Sequence, residues 1–141
     1  MAVSALVDTG ALVALLDRDD PWHERSVEAF ELLRPPFLTS LAVLTELFHL
    51  LGNSRRDVAA AWRFLRTGVV EIAHIGDDEL EALARLMDRY HDRPMDLADA
   101  TLVHLAEREA LTTVLTIDHD DFETYRIGSR KRFRILPARV R

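Results

Sequence analysis

The chain has 141 residues, of which 48% are hydrophobic and 30% charged, a composition that fits one globular domain over residues 1–141 and excludes a disordered or fibrous protein. It has no cysteine, so disulfides, thiolate metal sites and cysteine nucleophiles are excluded, and a reducing cytoplasm is the expected location. The formal net charge is −6, the apolar runs are too short to span a membrane, and residues 1–10 do not resemble a signal peptide.

Short β-type runs alternate along the chain with longer helical stretches. The predicted strands are Val3–Val7, Phe37–Thr39, Val69–Ile72, Thr113–Ile117 and Arg134–Leu136. The predicted helices are Ala11–Asp17, a helix from Pro21 that ends before Pro35, Leu41–Leu51, Arg55–Arg66, Asp77–Tyr90 and Leu97–Arg108. Strands separated by such helices predict an α/β fold with a mainly parallel sheet of four to five strands.

Two aspartates follow predicted strands directly. Asp8 comes after Val3–Val7, and Asp118 comes after Thr113–Ile117. Functional sites of parallel sheets form beyond the carboxyl ends of the strands, so both carboxylates are expected at one edge of the sheet. The alternative for Asp8 is a purely structural role as the cap of the next helix.

Glu46 lies in the predicted helix Leu41–Leu51, which is apolar on nearly every side and is therefore expected to be buried. No basic residue occurs between Pro35 and Asn53. A buried, ionised carboxylate is strongly destabilising unless something compensates it. A metal ion, a distant arginine or protonation would do so; otherwise Glu46 has to face a solvent gap.

Asp96 and Asp99 lie at the start of the predicted helix Leu97–Arg108. Their spacing of three residues puts them on one face of its first turn. Two like charges this close repel each other unless a cation lies between them or one takes a proton. Asp96 is equally well explained as the N-cap of this helix.

The segment around Asp118 contains further polar residues. Thr116 either donates a hydrogen bond into the site or is an ordinary polar residue of the strand. Asp120 and Asp121 are expected to cap or flank a short helix, with Phe122 packed beneath it.

Separate acids in apolar settings, at places that a parallel sheet brings together, are the strongest signal in the sequence. Oxygen ligands without cysteine or histidine suit Mg²⁺ or Mn²⁺ rather than zinc. Carboxylates that hold such ions are typical of phosphodiester cleavage, in which the metal activates a water molecule. The chain has no glycine-rich phosphate loop, G-x-S-x-G or H-E-x-x-H motif that would favour another chemistry.

Four segments, in this order, resemble a PIN domain of the kind found in VapC-type toxins. They are Val7–Asp17, Thr39–Ser40 ahead of Glu46, Leu97–Ala100, and Leu115–Asp118 with Phe122. The resemblance covers essentially the whole chain. It implies a three-layer α/β/α sandwich on a mainly parallel sheet, and cleavage of RNA that depends on Mg²⁺ or Mn²⁺.

The resemblance also implies which residues form the site. The catalytic, metal-binding acids of the family correspond to Asp8, Glu46, Asp99 and Asp118. Asp96 is an additional metal ligand on this interpretation, and Thr9 and Thr116 are expected to contact substrate. A homodimer and a small antitoxin protein that occludes the site are further implications. The alternatives are a non-catalytic PIN-like module that binds protein or RNA, and a metal-dependent phosphatase.

The basic residues are concentrated at the end of the chain. Residues 126–141 contain seven basic residues and no acid, whereas residues 1–125 have a net charge of −13. An RNA substrate near an acidic cleft needs counter-charges. Four arginines of this segment are expected to contact its phosphates from the rim, foremost Arg130 and Arg132, with Arg126 and Arg134 beside them. The alternative is ordinary solvated charge, or an edge strand protected by arginines.

Overall fold

In the computed structural model, which describes residues 2–140, the strands form a single parallel sheet. They are β1 (Leu6–Val7), β2 (Phe37–Thr39), β3 (Val70–Ile72), β4 (Thr113–Leu115) and β5 (Arg134–Leu136). Their order across the sheet is β3-β2-β1-β4-β5, and Leu6 of β1 pairs with Leu38 on one side and Val114 on the other. β1, β2 and β4 are buried along their whole length, as expected for parallel strands that are covered on both faces.

Seven helices in the described part of the chain flank this sheet. They are α1 (Thr9–Leu16), α2 (His23–Leu32), α3 (Leu41–Leu51), α4 (Arg55–Leu65), α5 (Leu80–Arg89), α6 (Leu97–Arg108) and α7 (His119–Thr124). The predicted α/β/α fold with a parallel sheet is confirmed, with five strands. None of the helices in residues 2–140 combines the length and apolar character needed to cross a membrane.

Hydroxyl and carboxylate side chains begin most of the helices that frame the site. Ser40 accepts a hydrogen bond from the Val43 N–H at the start of α3, and Asp96 accepts one from the Asp99 N–H at the start of α6. These bonds satisfy backbone donors that a helix leaves free in its first turn. Gly52 ends α3 with a positive φ of 62°, which glycine adopts without strain.

Several element boundaries differ from those predicted. Only the last two residues of Val3–Val7 pair as a strand. α2 begins at His23 rather than Pro21, because the Asp20 carboxylate accepts from the Trp22 N–H and closes a turn before the helix. The predicted helix Asp77–Tyr90 is divided into one 3-10 turn, Asp77–Glu79, and α5.

The prediction that α3 is buried on nearly every side is wrong. Val43, Leu44 and Leu47 are buried, but Leu41 and Leu50 are 66% and 64% exposed. α3 packs against α1, α4 and α6, and these neighbours leave the stripe that carries Leu41 and Leu50 uncovered.

The sheet changes direction at β1, and this feature positions the site. The chain builds outward from β1 through β2 to β3, and then returns to the other side of β1 with β4 and β5. Such a switch point opens a crevice beyond the carboxyl ends of the two adjacent strands. Asp8 follows β1 directly, and Thr116 and Asp118 follow β4, so the fold delivers them to this crevice.

Candidate functional site

Acids from four segments of the chain meet beyond the carboxyl ends of β1 and β4. We call this group the acidic cluster; its members are Asp8, Glu46, Asp96, Asp99, Asp118 and Asp121. Asp99, Asp118 and Asp121 each place one ligand oxygen within 4.8 Å of the others. The remaining members are close enough for their charges to raise the pKa of a neighbour in the cluster. All four acids of the predicted quartet are therefore brought together.

Asp8 is held rigidly at the start of α1 and is only 7% exposed. Its Oδ1 accepts a hydrogen bond from the Thr9 N–H, and its Oδ2 accepts one from the Thr116 hydroxyl, both at 2.8 Å. Burial raises the pKa of Asp8 to about 6 against the opposing effect of these two bonds. Asp8 is thus both the cap of a helix and a member of the cluster, so the two interpretations do not exclude each other.

Asp99 lies in the first turn of α6 and is 8% exposed. Its Oδ2 accepts a hydrogen bond of 2.8 Å from the hydroxyl of Tyr125, a fully buried residue that follows α7. Burial, followed by the charges of Asp8 and Asp96, raises the pKa of Asp99 to about 8. Tyr125 was not predicted as a site residue, because no spacing rule connects a tyrosine to an acid 26 residues away.

Glu46 is half-buried at the side of the cluster, on α3. Its Oε2 accepts from the Thr9 hydroxyl at 3.2 Å. Burial and the neighbouring carboxylate of Asp96 raise its pKa. Asp96 itself is exposed and caps α6, so its capping role and its place in the cluster are again combined.

Asp118 and Asp121 repeat the arrangement of Asp96 and Asp99 on the next helix. Asp118 caps α7 by accepting from the Asp121 N–H at 3.3 Å. Loss of hydration and the Asp121 carboxyl raise the pKa of Asp118 to about 6. Asp121 was expected only to cap or flank the helix, and the spacing of three residues that it shares with the Asp96–Asp99 pair was the signal that could have identified it.

The two threonines that were expected to contact substrate are buried instead. Thr116 has no exposed surface and Thr9 is 4% exposed. Their hydroxyls bond to Asp8 and Glu46, and the Thr116 hydroxyl also accepts from the Asp118 N–H at 3.0 Å. These residues hold the acids in place from behind, and leave the carboxylates to face the crevice.

The structure does not place Arg130 and Arg132 beside the acidic cluster. β5 runs parallel to β4 and begins at Arg134. The residues just before β5 therefore lie at the amino-terminal ends of the strands, whereas the acidic cluster lies beyond the carboxyl ends. Gly128 adjoins the side chain of Glu107, which lies about 12 Å beyond Asp99 along α6. The sequence alone does not reveal where Arg130 and Arg132 lie. The path of the loop before β5 depends on tertiary contacts, which sequence patterns do not show. Arg141, the last basic residue of this segment, is outside the described residues.

The donor set fits a hard divalent cation. The members of the cluster are all carboxylates, and carboxylate oxygens are the preferred ligands of Mg²⁺ and Mn²⁺. Among residues 2–140, Arg93 is the only basic residue that forms an ion pair with the cluster, through Asp121. The partial positive charge at the starts of α1 and α6 offsets a further part of the negative charge. Raised carboxyl pKa values at Asp8, Asp99 and Asp118 show that repulsion and desolvation remain uncompensated.

The fold and the site define an α/β protein with a carboxylate centre at the switch point of a parallel sheet. The chain belongs to the PIN-domain family, whose pattern matches residues 5–127, and within that family to the VapC group. It is 33% identical over 135 residues to ribonuclease VapC26 of Mycobacterium tuberculosis, covering 94% of this chain and 99% of that protein.

Solved structures agree with this relationship. The crystal structure of M. tuberculosis VapC20, described as a sarcin–ricin loop cleaving toxin, has a TM-score of 0.74 and 25% sequence identity, and the match covers 83% of this chain and 92% of VapC20. A toxin–antitoxin complex from Klebsiella pneumoniae contains a chain with a TM-score of 0.65 at 24% identity, with 86% of this chain and 92% of that one covered. The second similarity concerns the fold alone.

Proposed function

We propose that the protein is a metal-dependent endoribonuclease and the toxin of a VapBC-type toxin–antitoxin pair. The observation that carries this proposal is the acidic cluster at the switch point of the sheet, with buried carboxylates whose pKa values are raised toward neutrality. The similarity to VapC26 along almost the whole chain supports ribonuclease activity, and the similarity to VapC20, a toxin that cleaves the sarcin–ricin loop, supports a structured RNA as substrate.

The proposed catalytic residues are Asp8, Glu46, Asp99 and Asp118. They would hold Mg²⁺ or Mn²⁺, with Asp96 and Asp121 as additional ligands, and a bound ion would lower the pKa of a water molecule and offset charge on the phosphate. Thr116 and the Thr9 N–H orient the two oxygens of Asp8. Tyr125 orients Asp99 by donating to its Oδ2. These bonds fix the acids before substrate arrives, so little reorganisation is needed during the reaction.

The proposal is tested by incubating purified protein with a labelled hairpin RNA that carries the sarcin–ricin loop, and with total ribosomal RNA. Cleavage is expected with Mg²⁺ or Mn²⁺ and not with EDTA. Asp99→Asn is expected to lower the rate by roughly 100-fold or more, because it removes a charged ligand from the centre of the cluster.

Asp120→Asn is the matched control. Asp120 lies in the same segment but pairs with Arg139 at 2.6 Å and is outside the cluster, so its loss should leave the rate nearly unchanged. Cleavage that persists in EDTA and in Asp99→Asn would rule out the mechanism. Hydrolysis of p-nitrophenyl phosphate without RNA cleavage would instead identify a phosphatase, and tight metal binding without any hydrolysis would identify a binding module.

We propose two protein partners, an antitoxin and a second copy of this chain. The fold is shared with one chain of the K. pneumoniae toxin–antitoxin complex, which supports the first. Leu41, Leu50 and Trp62 expose apolar surface on α3 and α4, and this surface supports a homodimer. A purified protein that sediments as a monomer at micromolar concentration would exclude the dimer.

We further propose that residues 1–141 form one domain. β5 lies beyond the segment that matches the PIN family, yet it pairs with β4 in the same sheet. Phe133, just before β5, belongs to the same hydrophobic cluster as Leu6 and Leu102. A single cooperative unfolding transition is the expected result.

A further inference from the structure

A cation-bearing side chain already lies at the edge of the acidic cluster. The Arg93 guanidinium donates from its Nη1 to the Oδ1 of Asp121 at 2.9 Å. Among residues 2–140, this is the one ion pair between an arginine or lysine and a member of the cluster. Arg93 therefore places a positive charge in direct contact with the acidic cluster.

Arg93 is carried on a turn that is fixed at both ends. The Arg93 N–H and the Met95 N–H both donate to the Tyr90 carbonyl, at 3.0 and 3.4 Å. Met95 is 4% exposed and anchors the turn in the core, and Asp96 then begins α6. Because the backbone on each side is held, the point from which the Arg93 side chain extends is fixed relative to the start of α6.

The Arg93 side chain has unused hydrogen-bonding capacity. A guanidinium carries five N–H donors in a planar fork that matches the oxygens of a phosphate. Within the described residues its side chain makes a single hydrogen bond, and it is 41% exposed. An ion pair this accessible to solvent is weak, so a phosphate can compete for the guanidinium or share it with Asp121.

We propose that Arg93 binds a phosphate group of the RNA substrate at the edge of the acidic cluster. This inference rests on the proposed ribonuclease function. RNA approaching a group of six carboxylates needs a local counter-charge. Arg130 and Arg132 cannot supply it, because they lie at the amino-terminal ends of the strands, away from the cluster. Arg139 is less suited, because it already binds both Asp120 and Glu123. Arg93 thus acts as a positioning residue that brings the substrate backbone to the acids.

The test measures RNA binding and RNA cleavage separately for Arg93→Gln, Arg93→Lys and the control Arg66→Gln. Arg66 ends α4 shortly before β3 and lies at the amino-terminal ends of the strands. Its substitution therefore removes the same charge on the side of the sheet away from the cluster. Binding is followed by fluorescence anisotropy of the labelled sarcin–ricin hairpin in the Asp99→Asn background at several salt concentrations. Cleavage of the same RNA is measured with Mg²⁺ in the otherwise unchanged protein.

Arg93→Gln is expected to raise both the Kd and the KM about tenfold, with a smaller change in kcat. It should also reduce the slope of log Kd against log salt concentration by about 0.7–0.9, the contribution of one phosphate contact. Arg93→Lys should keep the slope and recover part of the affinity, because lysine supplies the charge without the planar fork. Arg66→Gln should match the unchanged protein.

An unaltered Kd and salt slope in Arg93→Gln would overturn the inference, as would an equal effect in Arg66→Gln. A fall in kcat alone, with binding unchanged, would show that Arg93 acts only through Asp121 and would also overturn it. If the unchanged protein fails to cleave any RNA with Mg²⁺ or Mn²⁺, the proposed function itself fails, and this result is distinct from the other outcomes.

Discussion

Tyr125 controls how the most perturbed acid of the site is held. Its hydroxyl donates to Asp99 from a fully buried position, and its ring packs edge-on against Tyr90 and Phe122. Burial and the Asp99 charge raise the pKa of the Tyr125 phenol, so it remains a neutral donor at all ordinary pH values. Groups of this kind behind a ligand fix its orientation and tune its affinity for a metal.

Tyr125→Phe is therefore expected to weaken metal binding by about 10–100-fold. It should cost about 1–2 kcal/mol of unfolding free energy, since the Asp99 oxygen loses a buried donor. Isothermal titration with Mn²⁺ measures the first effect and urea denaturation the second.

Tyr90→Phe is the matched control. The Tyr90 hydroxyl accepts from the Arg126 N–H and does not contact the acidic cluster, while its ring packs at 5.0 Å from that of Tyr125. It should lower stability by a similar amount and leave the affinity for Mn²⁺ unchanged. Equal losses of metal affinity in both variants would mean that the hydroxyl of Tyr125 has no special role.

At the scale of elements, α1 comes into close contact with the connection between β4 and α7. Gly10 lies in the first turn of α1, against Ile117. A Cβ atom at position 10 would lie 2.6 Å from the Ile117 Cγ1 atom. Glycine at this position therefore allows α1, which Asp8 caps, to lie close to Ile117, the residue before Asp118.

Gly10→Ala is expected to push Ile117 and α1 apart. Overpacking of this kind typically costs about 1–3 kcal/mol, which outweighs the gain of roughly 0.5–1 kcal/mol from replacing glycine in a helix. Metal affinity and RNA cleavage should fall as well, because Asp118 follows Ile117 directly. Thermal denaturation and Mn²⁺ titration provide the measurements.

The double variant Gly10→Ala/Ile117→Ala separates the clash from other effects. Removing the Ile117 Cγ1 atom should relieve the contact, so the double variant should bind Mn²⁺ better than Gly10→Ala alone. A strictly additive double-mutant cycle would show that the two positions do not interact.

The helices and strands themselves were largely predictable from the sequence. α6 has the predicted bounds, since Asp96 caps it and the apolar residues that follow keep a helical period. α3 also has its predicted bounds, but the exposure of Leu41 and Leu50 was not foreseen. An apolar stripe has the same sequence pattern whether the core or a partner protein covers it.

At the scale of the whole molecule, the acidic cluster couples folding to proton and cation binding. In the metal-free protein the pKa values of Asp8 and Asp118 rise to about 6 and that of Asp99 to about 8, from 3.8. A carboxyl group with a raised pKa in the folded state stabilises that state below its unfolded pKa, and this contribution is lost as the pH rises through the folded value. The metal-free protein should therefore lose stability between about pH 4 and pH 8.

Asp99→Asn is expected to increase the unfolding free energy by about 2 kcal/mol at about pH 8 in EDTA, because it removes the most strongly disfavoured charge. The midpoint of thermal unfolding should rise by roughly 6 °C. Mg²⁺ should stabilise the unchanged protein more at high pH than at low pH, since protons and metal compete for the same oxygens.

Differential scanning fluorimetry between about pH 4 and pH 8 tests the effect of Asp99→Asn in EDTA and the effect of Mg²⁺ on the unchanged protein. Asp120→Asn is the control. Asp120 is paired with Arg139, which lowers its pKa, so its loss should not stabilise the metal-free protein. A lower melting temperature for Asp99→Asn in EDTA at high pH would contradict the expectation that charge repulsion within the cluster destabilises the metal-free fold.

The convergence of the acids could be predicted from the sequence, whereas the ion pair between Arg93 and Asp121 could not. Asp8 and Asp118 follow apolar strands, and the switch point of a parallel sheet brings such positions together. Arg130 and Arg132 were two of the four arginines near the chain end that were expected to contact phosphates. Their distance from the site follows from where the loop before β5 runs, and that depends on tertiary contacts such as the one between Gly128 and Glu107.

Three of the acids at the crevice, Asp8, Asp96 and Asp118, also accept backbone N–H bonds at the starts of helices. An inactive protein made by changing any of them to alanine would fray a helix as well as lose a ligand. Asparagine at these positions can still accept the backbone hydrogen bond, so it preserves the helix start. The Asp99 side chain does not cap a helix. Asp99→Asn is therefore the best inactive variant for structural work on complexes with RNA or antitoxin. If this variant does not form a complex, the cause lies in recognition of the partner and not in a disturbed fold.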